Sequence, residues 1–600
     1  MPEFKISPKN SFNGEDFSYY NLSIIFDETT SSVIGNLSVN YYNNDPVNLT
    51  RIPFHLFLSA MLYTIRRGEI NILNTTSIKK PKIPLTYVVN EAAQLLWVYL
   101  DAVLEPYERA FFEIEFTSII PDGGLDRANS HGSDASSSRI YKFASFYPMP
   151  CVYDDFDGWN LDPYLESGDP FYYDMAYYDL TIEAPTGMVI AATGELVNLT
   201  NKGSTLIHQF NPGYPVREVT FAASRYFQNQ SQLVNGVTVS TYYLQESNFL
   251  WENFALEHAK NAFELFNDTF GSYPYSTLNI VEEYAFYLGM EYPLQVYVSH
   301  LINNDDYLTS TKRKLLEKTI VHEVAHQWWY NLVGFDQIDW GFLDEGLTSW
   351  SVDYYGRVFH HNWNYFQFTR YYDEVRTVLT PSRINQSTYQ IIENNLDFVF
   401  ISYSKTPLIL EKISRTIRLG NFTLGLKNFY EQNQFGIALL SDLQHALEEI
   451  ISQSLDWLFF PWFDNYYLPN YDVTTIRFND IEDNLIVIIE DWNEKVNIYP
   501  YSQEVQVLVY NIDGNIIYDD FVWVNGTTTL ILPMIDKPDK LRLNYGYDVI
   551  VQLFSATTTY FEIFVVEKSV VIPGYTFNFL LIIFFFSLLY LIFRFKSRIK

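Results

Sequence analysis

Cysteine is almost missing from this 600-residue chain, with Cys151 its only example. No intramolecular disulfide can form, no thiolate zinc site is available, and cysteine says nothing about compartment. Basic residues are scarce as well. The 39 Lys and Arg face 71 Asp and Glu, for a formal net charge of -32. A phosphate backbone needs a basic face, so nucleic acid is not the expected partner. The acidity suits a solvated, self-repelling surface, and it is compatible with attracting peptides through a positive amino terminus. There is no internal repeat, and residues 1–11 contain no hydrophobic signal core. What is abundant is apolar: hydrophobic residues make up 48% of the chain, which excludes disorder and gives core enough for three or four domains.

Histidine is also rare, at ten residues, and two of them stand four apart in His322-Glu323-Val324-Ala325-His326. The lead-in from Thr311 to Ile320 holds good helix formers and neither Pro nor Gly, and Gly334 is the expected stop. On a helix, residues four apart share a face, so the imidazoles of His322 and His326 can grip one Zn²⁺. Glu345, eighteen intervening residues on, can return from a second helix over Phe342–Tyr355 as the third ligand. Three protein ligands leave one position for water, which marks a catalytic zinc site. Glu323 sits where it can take a proton from that water. The bland alternative is a fortuitous motif. Chance supplies H-E-x-x-H in about one chain per hundred of this composition, and the distal glutamate cuts that by about tenfold more.

At these residues the chain resembles the aminopeptidase N-like zinc metallopeptidases of the gluzincin group, also called membrane alanyl aminopeptidases. Further segments carry the likeness. Leu288-Gly289-Met290-Glu291-Tyr292-Pro293 is similar to the family's G-x-M-E-N stretch, with Leu288 and Tyr292 departing from it. Tyr403-Ser404-Lys405-Thr406 is similar to Tyr-Ser-Lys-Gly, with Thr for Gly. Phe270–Tyr275 matches the entry into the catalytic domain, and Asp344-Glu345-Gly346-Leu347-Thr348 keeps the ligand while altering its neighbours. The resemblance implies that Glu291, with Gly289 and Met290, binds the substrate's amino group, and that Tyr403 stabilises the transition state. It implies one Zn²⁺ per chain, peptide substrates with a free amino terminus, and Glu323 as general base. Two alternatives stay open: a catalytically inactive peptide-binding or scaffolding module of the same fold, and a zinc endopeptidase.

The expected architecture is a multidomain α+β chain. An amino-terminal antiparallel β domain of sandwich or saddle form occupies 1–230, where Leu22, Ile24 and Phe26 alternate and Val33, Leu37, Val39 and Tyr41 return on the same period. Phe112, Ile114 and Phe116 repeat the pattern, as do Tyr178, Leu180 and Ile182, while 121–138 reads as a loop. A thermolysin-like α/β catalytic domain follows over 231–468, with helices at Trp251–Phe266, Pro407–Ile417 and Ser441–Ser454. A small β-sandwich occupies 469–560, with a hairpin turn at Asn511–Asn515.

Ser569 to Phe593 carries no charge. Its apolar block, Tyr575–Phe593, at about 1.5 Å per residue, spans ~28 Å and predicts a transmembrane helix over 571–593 that contacts the lipid bilayer. The basic tail 594–600 then places the carboxy terminus in the cytoplasm and the enzyme outside. The absent signal core argues the other way, because a tail-anchored chain would keep its enzyme in the cytosol. Ten N-x-S/T sequons, at Asn21, Asn36, Asn48, Asn74, Asn198, Asn229, Asn267, Asn385, Asn421 and Asn525, weakly favour an exported surface.

Overall fold

The computed structural model describes residues 16–562, apart from residues 62–67, 80, 134–136, 155–157, 166–167, 303–308, 363–364, 366–381, 467, 470, 480, 492–500 and 545–559. The predicted membrane span and basic tail lie outside the described residues. Among the described residues no helix is long and apolar enough to cross a membrane. The chain is a multidomain α+β protein that divides into two compact units, one ending at Leu468 and one beginning at Pro469.

The first unit opens with the strands whose alternation the sequence displays. They are β1 (Ser18–Asp27), β2 (Ser32–Tyr42), β3 (Glu69–Ser77), β4 (Ile83–Pro84), β5 (Arg109–Ile119), β6 (Ala176–Pro185), β7 (Glu195–Asn201) and β8 (Thr205–Asn211). They form one eight-stranded sheet in the order β7-β8-β6-β1-β2-β5-β3-β4. Side chains alternate across a pleated strand, so Leu22, Ile24, Leu37, Ile114, Phe116, Leu180 and Ile182 all turn to one face and are buried there. One pairing departs from the antiparallel expectation: β1 runs parallel to β6, with Leu22 beside Leu180. A period of two tells which face a residue takes but not the direction of its neighbour. The stretch 121–138 is likewise more than a loop. Its Asn129–His131 segment pairs with Ile140–Lys142.

A second sheet supports the site. It comprises β9 (Phe227–Val234), β10 (Val237–Leu244), β11 (Thr277–Glu283), β12 (Gly289–Met290) and β13 (Gln295–Ser299), ordered β9-β10-β11-β13-β12. Strands β10, β11 and β13 are parallel, while β12 is an antiparallel edge strand against β13. Helices follow: α1 (Leu256–Phe270), α2 (Thr309–Ala325), α3 (Gly341–Phe359), α4 (Thr406–Ile417), α5 (Leu419–Asn433), α6 (Leu440–Ile451) and α7 (Asp456–Asp464). The face of α1 that carries Ala259, Ala262, Phe263, Phe266 and Phe270 is buried, at the spacing an amphipathic helix requires.

The second unit holds β14 (Tyr471–Asn479), β15 (Asn484–Asp491), β16 (Ser502–Asn511), β17 (Ile516–Asn525), β18 (Thr528–Pro533), β19 (Pro538–Asn544) and β20 (Tyr560–Glu562). They make a three-stranded sheet, β14-β15-β18, and a four-stranded sheet, β17-β16-β19-β20. Leu485, Val487, Ile489, Val505, Val507 and Leu541 share one apolar core. The Asn511–Asn515 turn joins β16 to β17 as expected, with Gly514 at φ 82° and the Asn511 side chain accepting from the Asn515 amide at 2.9 Å.

Candidate metal centre

The helix that carries His322 ends at Ala325 rather than running to Gly334. His326 closes the last turn through its amide to the His322 carbonyl at 3.3 Å. Tyr330 then takes φ 87°, and Val333–Gly334 forms a two-residue strand against Gly436–Ile437. The side chain of Asn331 donates both to the His326 carbonyl at 3.1 Å and to the Glu291 carbonyl at 2.6 Å. This amide ties the end of α2 to the segment just beyond β12. No spacing rule announces it, so the expected stop at Gly334 falls nine residues late.

Glu345 lies in the first turns of α3 and reaches back to the two histidines. His322 Nε2 is 3.1 Å from Glu345 Oε2, His326 Nε2 is 3.2 Å from His322 Nε2, and His326 Nε2 is 3.5 Å from Glu345 Oε2. Tetrahedral ligands at zinc distances of about 2.0–2.1 Å stand about 3.4 Å from one another. The triangle therefore fits one zinc ion in spacing and in its donor set of two imidazole nitrogens and a carboxylate oxygen. His326 and Glu345 are buried, while His322 retains 14% side-chain exposure, so the triangle opens on the His322 side. Behind it, His326 Nδ1 donates to Asp344 Oδ1 at 2.8 Å, and Gln337 Nε2 donates to Asp344 Oδ2 at 2.7 Å. That bond leaves the His326 Nε2 lone pair facing Glu345.

Glu323 and Glu291 lie beside this triangle. With His326 they form a second buried group whose ligand atoms all fall within 4.8 Å of one another. Gly289 makes that approach possible, since a Cβ there would sit 2.3 Å from Glu323 Oε1. Met290 is buried next to it on β12. Glu291 Oε1 accepts from Gln337 Nε2 at 3.2 Å. Tyr403 sits in a π-helical turn, Phe400–Lys405, a local widening often found at functional sites. Its hydroxyl donates to Glu345 Oε1, and its ring stacks on His322 at 5.8 Å. The departure at Thr406 is accommodated by Gly346, where a Cβ would come within 2.2 Å of the Thr406 methyl. The sequence-predicted residues Gly289, Met290, Glu291, His322, Glu323, His326, Glu345 and Tyr403 thus lie on converging elements around one centre.

Electrostatics distinguishes the carboxylates. Burial pushes the Glu345 carboxyl up, but His326 and His322 outweigh it and hold the group well below its ordinary value. Burial and neighbouring carboxylates, Asp169 first, push Glu291 well up. Burial raises Glu323 too, with Glu291 adding to the shift and His326 opposing it. Asp344 is pushed up to about 6 by burial against the pull of His326. So many buried carboxyls around one point favour any cation or ammonium group placed among them.

Further residues outside the sequence-predicted set complete the surroundings. Gln337 and Asp344 bridge the metal triangle to Glu291. Asp169 comes from the β-rich region, held by Arg127, which also donates to Tyr164 Oη at 2.7 Å and the Gly168 carbonyl at 2.9 Å. Arg127 lies in the stretch expected to be a plain loop. An Arg between Asp126 and a buried turn could have flagged it, but only with the tertiary partner known.

Residues 254–462 match the Peptidase family M1 domain. This stretch is a peptidase family M1 domain. Similar proteins include Aminopeptidase M1-B of Oryza sativa subsp. japonica, 26% identical over 299 residues that cover 48% of this chain and 34% of the relative. Glutamyl aminopeptidase of Bos taurus is 26% identical over 269 residues, covering 43% of this chain and 28% of the relative. The chain spans about a third of the length of the curated relatives it matches. In fold it is similar to aminopeptidase A of Legionella pneumophila, solved in complex with aspartic acid, with TM-score 0.67 and 14% identity over 92% of this chain and 61% of that one.

Proposed function

We propose that this chain is a zinc-dependent aminopeptidase that removes the amino-terminal residue of peptides at a membrane surface. The single observation that carries the reading is the triangle of His322, His326 and Glu345, with 3.1–3.5 Å between ligand atoms, beside the paired carboxylates of Glu291 and Glu323. His322 Nε2, His326 Nε2 and Glu345 Oε2 would hold the ion, which when bound supplies a Lewis acid and a more acidic water.

The remaining work falls to side chains. Asp344 keeps the proton on His326 Nδ1 and fixes the ring. Glu291, oriented by Gln337, pairs with the protonated amine of the substrate, so counting starts from that end. Glu323 takes a proton from the attacking water at its carboxylate and returns it to the leaving nitrogen. Its raised proton affinity suits a group that must hold that proton between the two events. The Tyr403 hydroxyl turns from Glu345 to donate to the oxygen that gains negative charge. The acid-rich lining, with Asp169 behind Glu291, favours a cationic amine over a free carboxylate.

Relatives of this family carry aminopeptidase names, which supports the exopeptidase reading. The membrane part of the proposal rests on the uncharged segment from Ser569 to Phe593 and the basic tail. The test is turnover of an amino-acid anilide and of one peptide with a free and with an acetylated amino terminus. Cleavage should require the free amine. Equal cleavage of the blocked peptide would identify an endopeptidase, and a metal-loaded chain that turns over neither would be a binding module.

A further inference from the structure

The ten sequons of this chain are unused by the site and stand in different settings; Asn48, Asn229 and Asn525 are exposed outside the strands of the eight-stranded sheet. Three project into solvent from the outer face of the eight-stranded sheet: Asn21 on β1, Asn74 on β3 and Asn198 on β7, all exposed. A strand sends residues i and i+2 to the same side, so each of these asparagines has its own hydroxyl residue beside it. Ser23 Oγ donates to Asn21 Oδ1 at 3.4 Å, Asn74 Nδ2 donates to Thr76 Oγ1 at 3.1 Å, and Asn198 Nδ2 donates to Thr200 Oγ1 at 3.5 Å and to Gln209 Oε1 at 2.7 Å. Others are employed by the fold. Asn385 Nδ2 donates to Asp464 Oδ1 at 2.8 Å, Asn421 Nδ2 donates to the Ile417 carbonyl at 2.8 Å, and Asn267 Oδ1 accepts from the Tyr273 amide at 3.0 Å.

Strand register then aligns the exposed set. Asn198 pairs with Gln209, Gln209 with Thr181, Thr181 with Ser23, Ser23 with Asn36, Asn36 with Glu115, and Glu115 with Asn74. One unbroken polar row therefore crosses seven strands, with sequon asparagines at both ends and the Asn21 sequon's serine in the middle. With neighbouring strands about 4.8 Å apart, Asn198 and Asn74 stand about 29 Å from each other along the row. On either side of it the same face exposes Tyr19, Ile25, Ile34 and Phe111, at 37%, 54%, 59% and 44%.

We infer that this face carries N-linked oligosaccharides on Asn21, Asn74 and Asn198. The donor is a polyprenyl-diphosphate-linked oligosaccharide. A bond forms between the asparagine Nδ2 and the anomeric carbon of the first sugar, and the bond from that carbon to the phosphate oxygen breaks. The electron pair leaves with the lipid diphosphate, and one amide proton passes to a base of the transferase. The hydrogen bonds that the Asn74 and Asn198 Nδ2 groups make lie on the solvent face, where sugar hydroxyls and water replace them. The sugar covers the flanking apolar side chains. Asn36, half-buried in the middle of the row, is not assigned. This inference does not depend on the peptidase reading. It requires only that the first unit faces the compartment that holds the transferase.

The test is glycopeptide mass spectrometry on the full chain isolated from the cells that make it, with anilide turnover recorded separately. Peptides containing Asn21, Asn74 and Asn198 should carry oligosaccharide mass. Asn21→Gln, Asn74→Gln and Asn198→Gln should each remove one increment of apparent mass on a gel and leave turnover unchanged. Bare peptides at all three positions, or sugar found instead on Asn267, Asn385 and Asn421, would overturn the inference.

Discussion

Glu323 and Glu218 are both buried glutamates, and their surroundings give them opposite roles. Glu323 stands beside Glu291 and His326, where a proton has somewhere to come from and somewhere to go. Changing Glu323→Gln keeps the shape and removes the proposed base. Zinc content measured by atomic emission should stay at one per chain, while kcat falls about 10²–10⁴-fold, the usual worth of a positioned acid–base group. Wild-type turnover in that variant would refute the assigned role. Glu218 is 1% exposed, and neither of its oxygens has a hydrogen-bond partner among the described residues. Burial pushes its carboxyl up to about 8, with Arg127 opposing. The folded chain then holds a proton that the unfolded chain releases near pH 4.5. Between about pH 4.5 and 8 the unfolded state binds fewer protons, so stability falls as pH rises and levels off above the folded value. The neutral Glu218→Gln lacks this slope. Its Tm advantage over the wild type should grow from pH 5 to pH 9 in thermal melts, and a constant difference would show that Glu218 is not held protonated.

At the scale of elements, the site depends on how closely edge strand β12 approaches helix α2. Gly289 sets that distance. Gly289→Ala places a methyl 2.3 Å from Glu323 Oε1, so the carboxylate must move while the metal triangle, on α2 and α3, need not. The expected outcome is a fall in kcat with zinc content and Tm close to wild type. Unchanged kcat would show that the approach is not needed. The same elements show what the chain reveals before folding. His322 and His326 were legible because helical spacing fixes which side chains share a face, Glu345 because its segment could return from a second helix, and strands such as β1 and β2 were legible from alternation. The parallel pairing of β1 with β6 was not, since residues 18–27 and 176–185 carry no mark of each other. Nor was the end of α2 at Ala325. It is set by the Asn331 side chain bonding two carbonyls, one of them 40 residues away. Asp169 and Arg127 were invisible for the same reason, being brought to the site by tertiary contacts alone.

For the molecule as a whole, the first unit gathers buried carboxylates at one centre inside a chain of net charge -32. Like charges in a low-dielectric interior oppose folding unless a cation offsets them. On the proposed reading, a zinc ion held by His322, His326 and Glu345 would contribute to stability as well as to chemistry, because it would bind the folded triangle and not the unfolded chain. A ligand present at about a thousand times its Kd stabilises by about 4 kcal/mol, which for a unit of this size corresponds to a Tm shift of about 4 °C. Calorimetry of the full chain before and after treatment with a strong chelator should show a decrease of that order, reversed by added Zn²⁺. The variant His326→Ala, which lacks one ligand and leaves Asp344 without its imidazole partner, should melt lower from the start and respond to neither reagent. If the wild-type chain melts at one temperature with and without chelator, and metal analysis finds none bound beforehand, then the convergence of two imidazoles and a carboxylate is a hydrogen-bonded cluster and the zinc reading fails.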